Sequence, residues 1–168
     1  MPQENMGGEF AVVRVRIWNV KRLFSVRKIL HASGKHMAKH QGLHHWDNSF
    51  VKSLAIVVFC ALKNQIYLVL RNGKPAATFQ TRKIGSAYQF EKLATSPDLE
   101  RCGIGSFCIS RIEDMAIMNG CDEVICDVYD KSEHAQSFYL KRGFSQCGTE
   151  KTVKYVNIKL SKKVSREI

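Results

Sequence analysis

Apolar and polar positions recur along most of the chain with periods that predict its elements. From Phe10 to Ile17, Val13, Val15 and Ile17 are interleaved with Arg14 and Arg16, the two-residue period of a half-buried strand. Asn19 is a helix-capping residue, and behind it Val20, Leu23, Phe24, Arg27 and Leu30 recur at helical spacing. The polar, histidine-rich stretch from Ser33 to Asn48 predicts a frayed helix end followed by a loop. Val51, Leu54, Ala55, Val58, Phe59 and Leu62 form the stripe of a second helix, although Ile56-Val57-Val58 also suits a strand. Ile66 to Leu70 predicts a strand, Asn72-Gly73 a tight hairpin turn, and Ala76 to Thr81 the returning strand. Another strand runs from Ala87 to Thr95 and stops at Ser96-Pro97.

The second half of the chain is patterned more sharply. Ile104, Cys108, Ile112, Met115 and Ala116 share one face of a helix that starts at Gly103 and stops at Asn119-Gly120. Val124 to Val128 is a short apolar strand. Ser132 caps a helix carrying Ala135, Phe138 and Tyr139, which Gly143 closes, and Ser145 to Leu160 reads as two strands. The order is strand, helix, helix, three strands, helix, strand, helix, two strands. It predicts a single α/β domain over 9–168, preceded by a flexible leader over 1–8 that ends in Gly7-Gly8.

Composition narrows the class. The chain has 168 residues, 45% hydrophobic and 24% charged, as in ordinary globular proteins. Its longest apolar run, Leu54 to Leu62, is short of the ~20 residues a membrane-spanning helix needs. No basic-then-apolar signal pattern opens the sequence, so the expectation is a cytoplasmic protein without a membrane partner. The six cysteines are scattered, with no C-x-x-C pair, which favours reduced thiols over disulfides or a zinc knuckle. A formal charge of +11 attracts polyanions or phosphorylated ligands without choosing between them.

Chemistry enters at Leu93-Ala94-Thr95-Ser96-Pro97-Asp98-Leu99-Glu100-Arg101-Cys102-Gly103-Ile104-Gly105-Ser106, where a strand ends and a helix begins at a glycine pair. A helix start exposes unpaired N–H groups pointing one way, and with the helix dipole these form a site that fits a pyrophosphate. Glycine at 103 and 105 lets phosphates approach the backbone. Taken alone, a G-x-G before a helix is more simply a turn with a close packing contact. It is followed, however, by Ser132-Glu133-His134-Ala135-Gln136-Ser137-Phe138-Tyr139-Leu140-Lys141-Arg142-Gly143-Phe144. The two segments together resemble the GCN5-related N-acetyltransferase (GNAT) superfamily. Its signature is [QR]-x-x-G-x-[GA] at the third helix and N-x-x-A-x-x-F-Y-x-x-x-G-F after the next strand. Glu100 stands where Gln or Arg is usual, with Arg101 as the neighbouring cation, and Ser132 stands where Asn is usual.

The resemblance implies a mixed, mostly antiparallel sheet with helices on both faces and a splayed fourth and fifth strand. Acetyl-CoA is the implied cosubstrate, with no metal. Its pantetheine arm would run along Leu93, Ala94 and Thr95, with a backbone N–H near Leu93 polarising the thioester carbonyl. Arg101, Cys102, Gly103, Ile104, Gly105 and Ser106 would hold the pyrophosphate, and Ser132 is a further cofactor-binding residue the resemblance implies. Tyr139 falls at the position of the acid that protonates the leaving thiolate, with its phenol taken at an ordinary value near 10. On spacing alone Tyr139 is a core aromatic.

Glu91, two residues before Leu93 and so on the same strand face, is the first candidate base and Asp127 the second, each otherwise an ordinary strand carboxylate. His36, His40 and His44 recur at helical spacing, but no carboxylate or cysteine completes a metal set. His44-His45-Trp46-Asp47 is a candidate acceptor loop, with a Trp that only anchors the loop as the plainer alternative. The reaction implied is direct acetyl transfer to an amine, on a small molecule or a protein, and a homodimer is left open. The rival from a different class is a non-catalytic basic module for RNA or a ribosomal surface with a vestigial acyl-CoA site. It is motivated by Arg14, Arg16, Lys21, Arg22, Arg27 and Lys28, but no nucleic-acid motif accompanies them.

Overall fold

The computed structural model describes residues 9–44, 54–63 and 65–165. The expected order appears in full: β1 (Phe10–Val15), α1 (Val20–Gln41), α2 (Leu54–Lys63), β2 (Gln65–Arg71), β3 (Lys74–Ile84), β4 (Ala87–Thr95), α3 (Ile104–Met118), β5 (Glu123–Tyr129), α4 (Glu133–Leu140), β6 (Ser145–Lys151) and β7 (Val156–Lys163). A single 3-10 turn, Pro97–Leu99, links β4 to α3. The strands form one seven-stranded sheet in the order β1-β2-β3-β4-β5-β7-β6. Every neighbouring pair is antiparallel except β4 and β5.

Alternation along the strands sends side chains to two cores. Ile66 and Leu68 of β2 join Leu23, Val26 and Leu30 of α1 and Val57 and Cys60 of α2. Val69, Phe79 and Phe90 join Cys108, Ile112 and Ala116 of α3 and Tyr139 of α4 on the opposite face. Helices therefore cover both faces, as a sheet buried on both sides requires.

Three boundaries depart from expectation. The fraying predicted from Ser33 does not occur, and α1 runs on to Gln41. Its last turns are held by a contact invisible in the local pattern, His36 to Glu100 at 3.2 Å, beside the tilted His36–His40 ring pair at 4.3 Å. Gly42 then adopts a left-handed conformation, its N–H bonds the Met37 carbonyl, and buried Leu43 closes the end. Strand β1 stops at Val15 rather than Ile17, leaving Ile17 and Trp18 exposed. Strand β3 is longer than Ala76–Thr81, because Gly85-Ser86 makes a tight turn that lets Ile84 pair with Ala87. Asn72 and Gly73, both at positive φ, form the predicted hairpin turn. The leader and the loop residues His45, Trp46 and Asp47 lie outside the described residues.

Candidate active site

The parallel pair β4–β5 is joined over only Ala87–Glu123, Tyr88–Val124 and Gln89–Ile125. Beyond Gln89 the strands diverge, and the β5-facing edge of β4 through Leu93 and Thr95 has no strand alongside. On its other edge β4 carries a bulge, where the β3 register shifts between Thr78 and Gln80 and Lys92 takes a positive φ of 50°. The bulge reverses the alternation. Phe90 and Leu93 belong to the core under α3 and α4, while Ala94 packs under α1. The expectation that Glu91 and Leu93 leave one face is therefore corrected: the extra residue, Lys92, puts them on opposite faces.

Past the end of β4, Arg101 and Gly103 sit at φ 61° and 77° and turn the chain into α3. Phe107 N–H is bonded to the Gly103 carbonyl at 3.0 Å. The amides of Gly103, Ile104, Gly105 and Ser106 precede any intrahelical acceptor, and the first turn of α3 has no acid. Leu93, Thr95, Arg101 and Gly103 to Ser106 line one cleft of about 550 Å³. Ala94 is buried and Cys102 half-buried, and neither lines that cleft. Glu100 also borders the cleft, but its carboxylate is paired with His36.

Gly105 has a reason for being glycine that its motif did not show. A Cβ there would lie 2.9 Å from Cζ of Phe138. Phe138 in turn carries the Arg142 guanidinium 3.6 Å above its ring. Arg142 donates through Nη1 to the Phe138 carbonyl at 2.8 Å and through Nη2 to Ser106 Oγ. The two sequence signatures are thus one physical unit: Gly105 admits the ring, and the ring seats a cation beside the α3 start. Sequence reasoning missed Arg142, whose only signal was a basic residue one turn beyond Phe138.

A second cleft of about 350 Å³ opens on the other side, lined by Ser33 and Met37 of α1, Glu91, Lys92, Asp127, Tyr129, Ser132, Tyr155 and Asn157. Leu93, Ala135 and Tyr139 border both clefts. Tyr139 is buried among Phe90, Phe138 and Phe144, at ring separations of 5.7, 5.1 and 5.6 Å. Burial pushes its phenol far above the ordinary value near 10, the nearby Cys126 and Cys108 add to this, and Arg142 only partly opposes it. The ordinary value assumed from sequence does not hold.

Glu91 is engaged by Arg82 at 3.6 Å and Lys92 at 3.8 Å. Asp127 instead accepts from the Gln89 amide at 3.2 Å, and Gln89 accepts from Arg82 Nε at 2.8 Å. Partial burial of the Asp127 carboxyl raises its pKa; Lys159 and the Gln89 bond pull it down, Glu150 and Glu91 push it up. Ser132 is placed at the start of α4, but its side chain makes no capping bond. The expected cap is thus corrected; Gln136 Nε2 donates to the Asp130 carbonyl at 2.7 Å, which ties the helix to the preceding turn without capping its first N–H groups. Among the described residues no group of three or more His, Cys, Asp or Glu is placed to hold a metal.

Fold and clefts together define a domain of the acetyltransferase type. The acetyltransferase (GNAT) family model matches residues 32–144, more than half of the chain, and the chain belongs to that family. PaiA N-acetyltransferase from Thermoplasma acidophilum, solved in complex with coenzyme A, has a TM-score of 0.77 at 15% identity, over 92% of this chain and 99% of that one. The ribosomal-protein-S18-alanine N-acetyltransferase from Escherichia coli gives 0.72 at 16% identity, over 95% and 96%. A GCN5-related N-acetyltransferase from Rhodopseudomonas palustris gives 0.75 at 17% identity, over 92% and 95%. At these identities the likeness establishes the fold. Among curated proteins no sequence matches significantly. Acetyl transfer is the family-level activity, and no finding supports a non-catalytic RNA-binding module.

Proposed function

We propose that the protein is an acetyl-CoA-dependent N-acetyltransferase that passes the acetyl group directly to an amine. The observation that carries this reading is the meeting of two clefts at Leu93, Ala135 and Tyr139. One offers free backbone amides and the Arg142 cation, suited to phosphates and an amide-bearing arm. The other offers carboxylates and tyrosines, suited to an amine.

In this reading the amides from Gly103 to Ser106, with Arg101 and Arg142, hold the pyrophosphate, and the unpaired edge of β4 holds the pantetheine amides. The thioester then reaches the junction, where the Leu93 N–H stabilises charge developing on its carbonyl oxygen. The amine nitrogen bonds to the carbonyl carbon and gives its surplus proton, directly or through water, to the second cleft. Asp127 is the stronger base candidate there, because Glu91 is already held by two cations. As the carbon–sulfur bond breaks, Tyr139 gives its proton to the thiolate. Incubating the protein with acetyl-CoA and a panel of small amines and Lys- or N-terminus-bearing peptides, with detection of free thiol and acetylated product, tests the proposal. Amine-dependent release of CoA supports it; no turnover with any amine, despite saturable CoA binding, overturns it.

A further inference from the structure

The positive charge is not spread over the chain. Residues 10–71 contain eleven Lys and Arg and one acid, Asp47, whereas residues 72–168 contain fifteen Lys and Arg against twelve acids. Helix α1 alone carries Lys21, Arg22, Arg27, Lys28, Lys35 and Lys39 and no acid. Its buried stripe, Leu23, Val26, Leu30 and Gly34, faces the sheet. At 100° per residue, Phe24 and Lys28 fall on the far side, together with Lys21, Lys35 and Lys39, and Val20 lies on the flank.

That outer face is also apolar where soluble surfaces seldom are. Trp18 is 73% exposed, Val20 54% and Phe24 49%, and on α2 Phe59 and Leu62 are 59% and 68% exposed. With Ile17, six of the ten exposed large apolar side chains among the described residues come from the β1–α1 junction, α1 and α2. A cluster of this kind marks an interaction surface, whereas single exposed apolar residues need no explanation. Two of its aromatics have cations beside them: Arg16 lies 5.7 Å from the Trp18 ring and Lys63 5.9 Å from Phe59.

We propose that the outer face of the β1–α1 junction and of α1 and α2 docks on an anionic lipid bilayer. Trp18, Phe24, Phe59 and Leu62 enter the headgroup boundary, and the surrounding lysines and arginines meet lipid phosphates and carboxylates. This is the pairing of apolar protrusions with a basic rim by which amphipathic elements lie on membranes without crossing them. No described helix is long and apolar enough to cross. A second copy of the chain is a poor occupant, because two faces of this charge repel. Nucleic acid would use the cations and stack on the aromatics, but it has no use for Val20 or Leu62. The inference stands apart from the catalytic reading and survives its failure.

Co-sedimentation with vesicles of phosphatidylcholine, with and without phosphatidylserine, at low and high salt tests it. Binding to the anionic vesicles should exceed that to neutral ones by about tenfold or more, and should weaken at high salt. The double variant Trp18→Ala/Phe24→Ala and the charge variant Lys21→Glu/Lys28→Glu should each lose most of it. Both variants should keep the thermal shift produced by CoA, which verifies their fold. Equal partition onto neutral and anionic vesicles, or no partition onto either, overturns the proposal. So does salt-sensitive binding to RNA or DNA that Trp18→Ala/Phe24→Ala leaves intact, or a dimer in sedimentation that buries this face.

Discussion

The two clefts that meet at Tyr139 are built from different materials. On the α3 side the wall is mostly backbone: the free edge of β4 and the first amides of α3, opened by glycine at 103 and by the ring of Phe138 against Gly105. On the β5 side it is mostly side chain: Glu91, Lys92, Asp127, Tyr129 and Tyr155, drawn from two strands and the segment before β7. A backbone site is fixed by the fold and tolerates most side-chain changes, but fails wherever a Cβ intrudes. A side-chain site is the reverse, so a fold can keep the first constant while the second sets the acceptor.

The largest effect should come from the backbone cleft. Gly105→Val puts a branched side chain against Phe138, and the ring must move together with the Arg142 guanidinium stacked on it. Overpacking of this kind costs about 1–3 kcal/mol. Calorimetry with CoA should show affinity lost by about a hundredfold or more, because amides and cation are displaced together. Unchanged affinity would mean that the α3 start is not the phosphate site.

Next is the junction. Tyr139→Phe removes one hydroxyl from a packed ring and should lower kcat about a hundredfold, the usual scale of a lost general acid, with KM for acetyl-CoA little changed. Its pH behaviour sharpens the point. Below about 10 the folded and unfolded chains both hold the phenol proton; above it the unfolded chain ionises while the buried Tyr139 does not. Stability therefore falls as pH rises past about 10, and Tyr139→Phe should be less sensitive there in alkaline unfolding curves. An alkaline limb of kcat near pH 10 that disappears in Tyr139→Phe would contradict the strongly raised pKa.

Smaller effects separate the carboxylates. Asp127→Asn should reduce kcat by about tenfold or more and remove an acid limb shifted upward from the ordinary aspartate value. Glu91→Gln should cost only about threefold, because that carboxylate mainly balances Arg82 and Lys92. Pre-steady-state acyl transfer to a confirmed amine measures both, and the opposite order would restore Glu91 as the base. The mildest for kcat is Arg142→Ala, expected to leave it unchanged while raising KM for acetyl-CoA about tenfold, since in the proposed site its cation would meet phosphates far from the reacting carbon.

How much of this was legible follows the same division. The start of α3 and the helix carrying Phe138 and Tyr139 were readable as elements because fixed residue types at fixed spacing mark them, and the splay of β4 and β5 came with the resemblance. The bulge at Lys92 was not readable: it depends on how β3 registers against β4, and a lysine at positive φ leaves no mark in a local pattern. It turned Leu93 away from Glu91 and so undid an argument from alternation. The reach of α1 to Gln41 was hidden for a similar reason, since the His36–Glu100 contact joins positions far apart in sequence. The raised phenol of Tyr139 needed the three aromatic rings around it to be seen together.

The central claim is that an acyl-CoA lies along the free edge of β4 with its pyrophosphate on the α3 start. Amide chemical shifts followed by NMR during titration with CoA test it most directly. The account predicts saturable shifts at Leu93, Thr95 and Gly103 to Ser106, with the outer face of α1 at Lys21 to Lys28 unmoved. Saturable binding that leaves those amides in place and shifts α1 instead would contradict it.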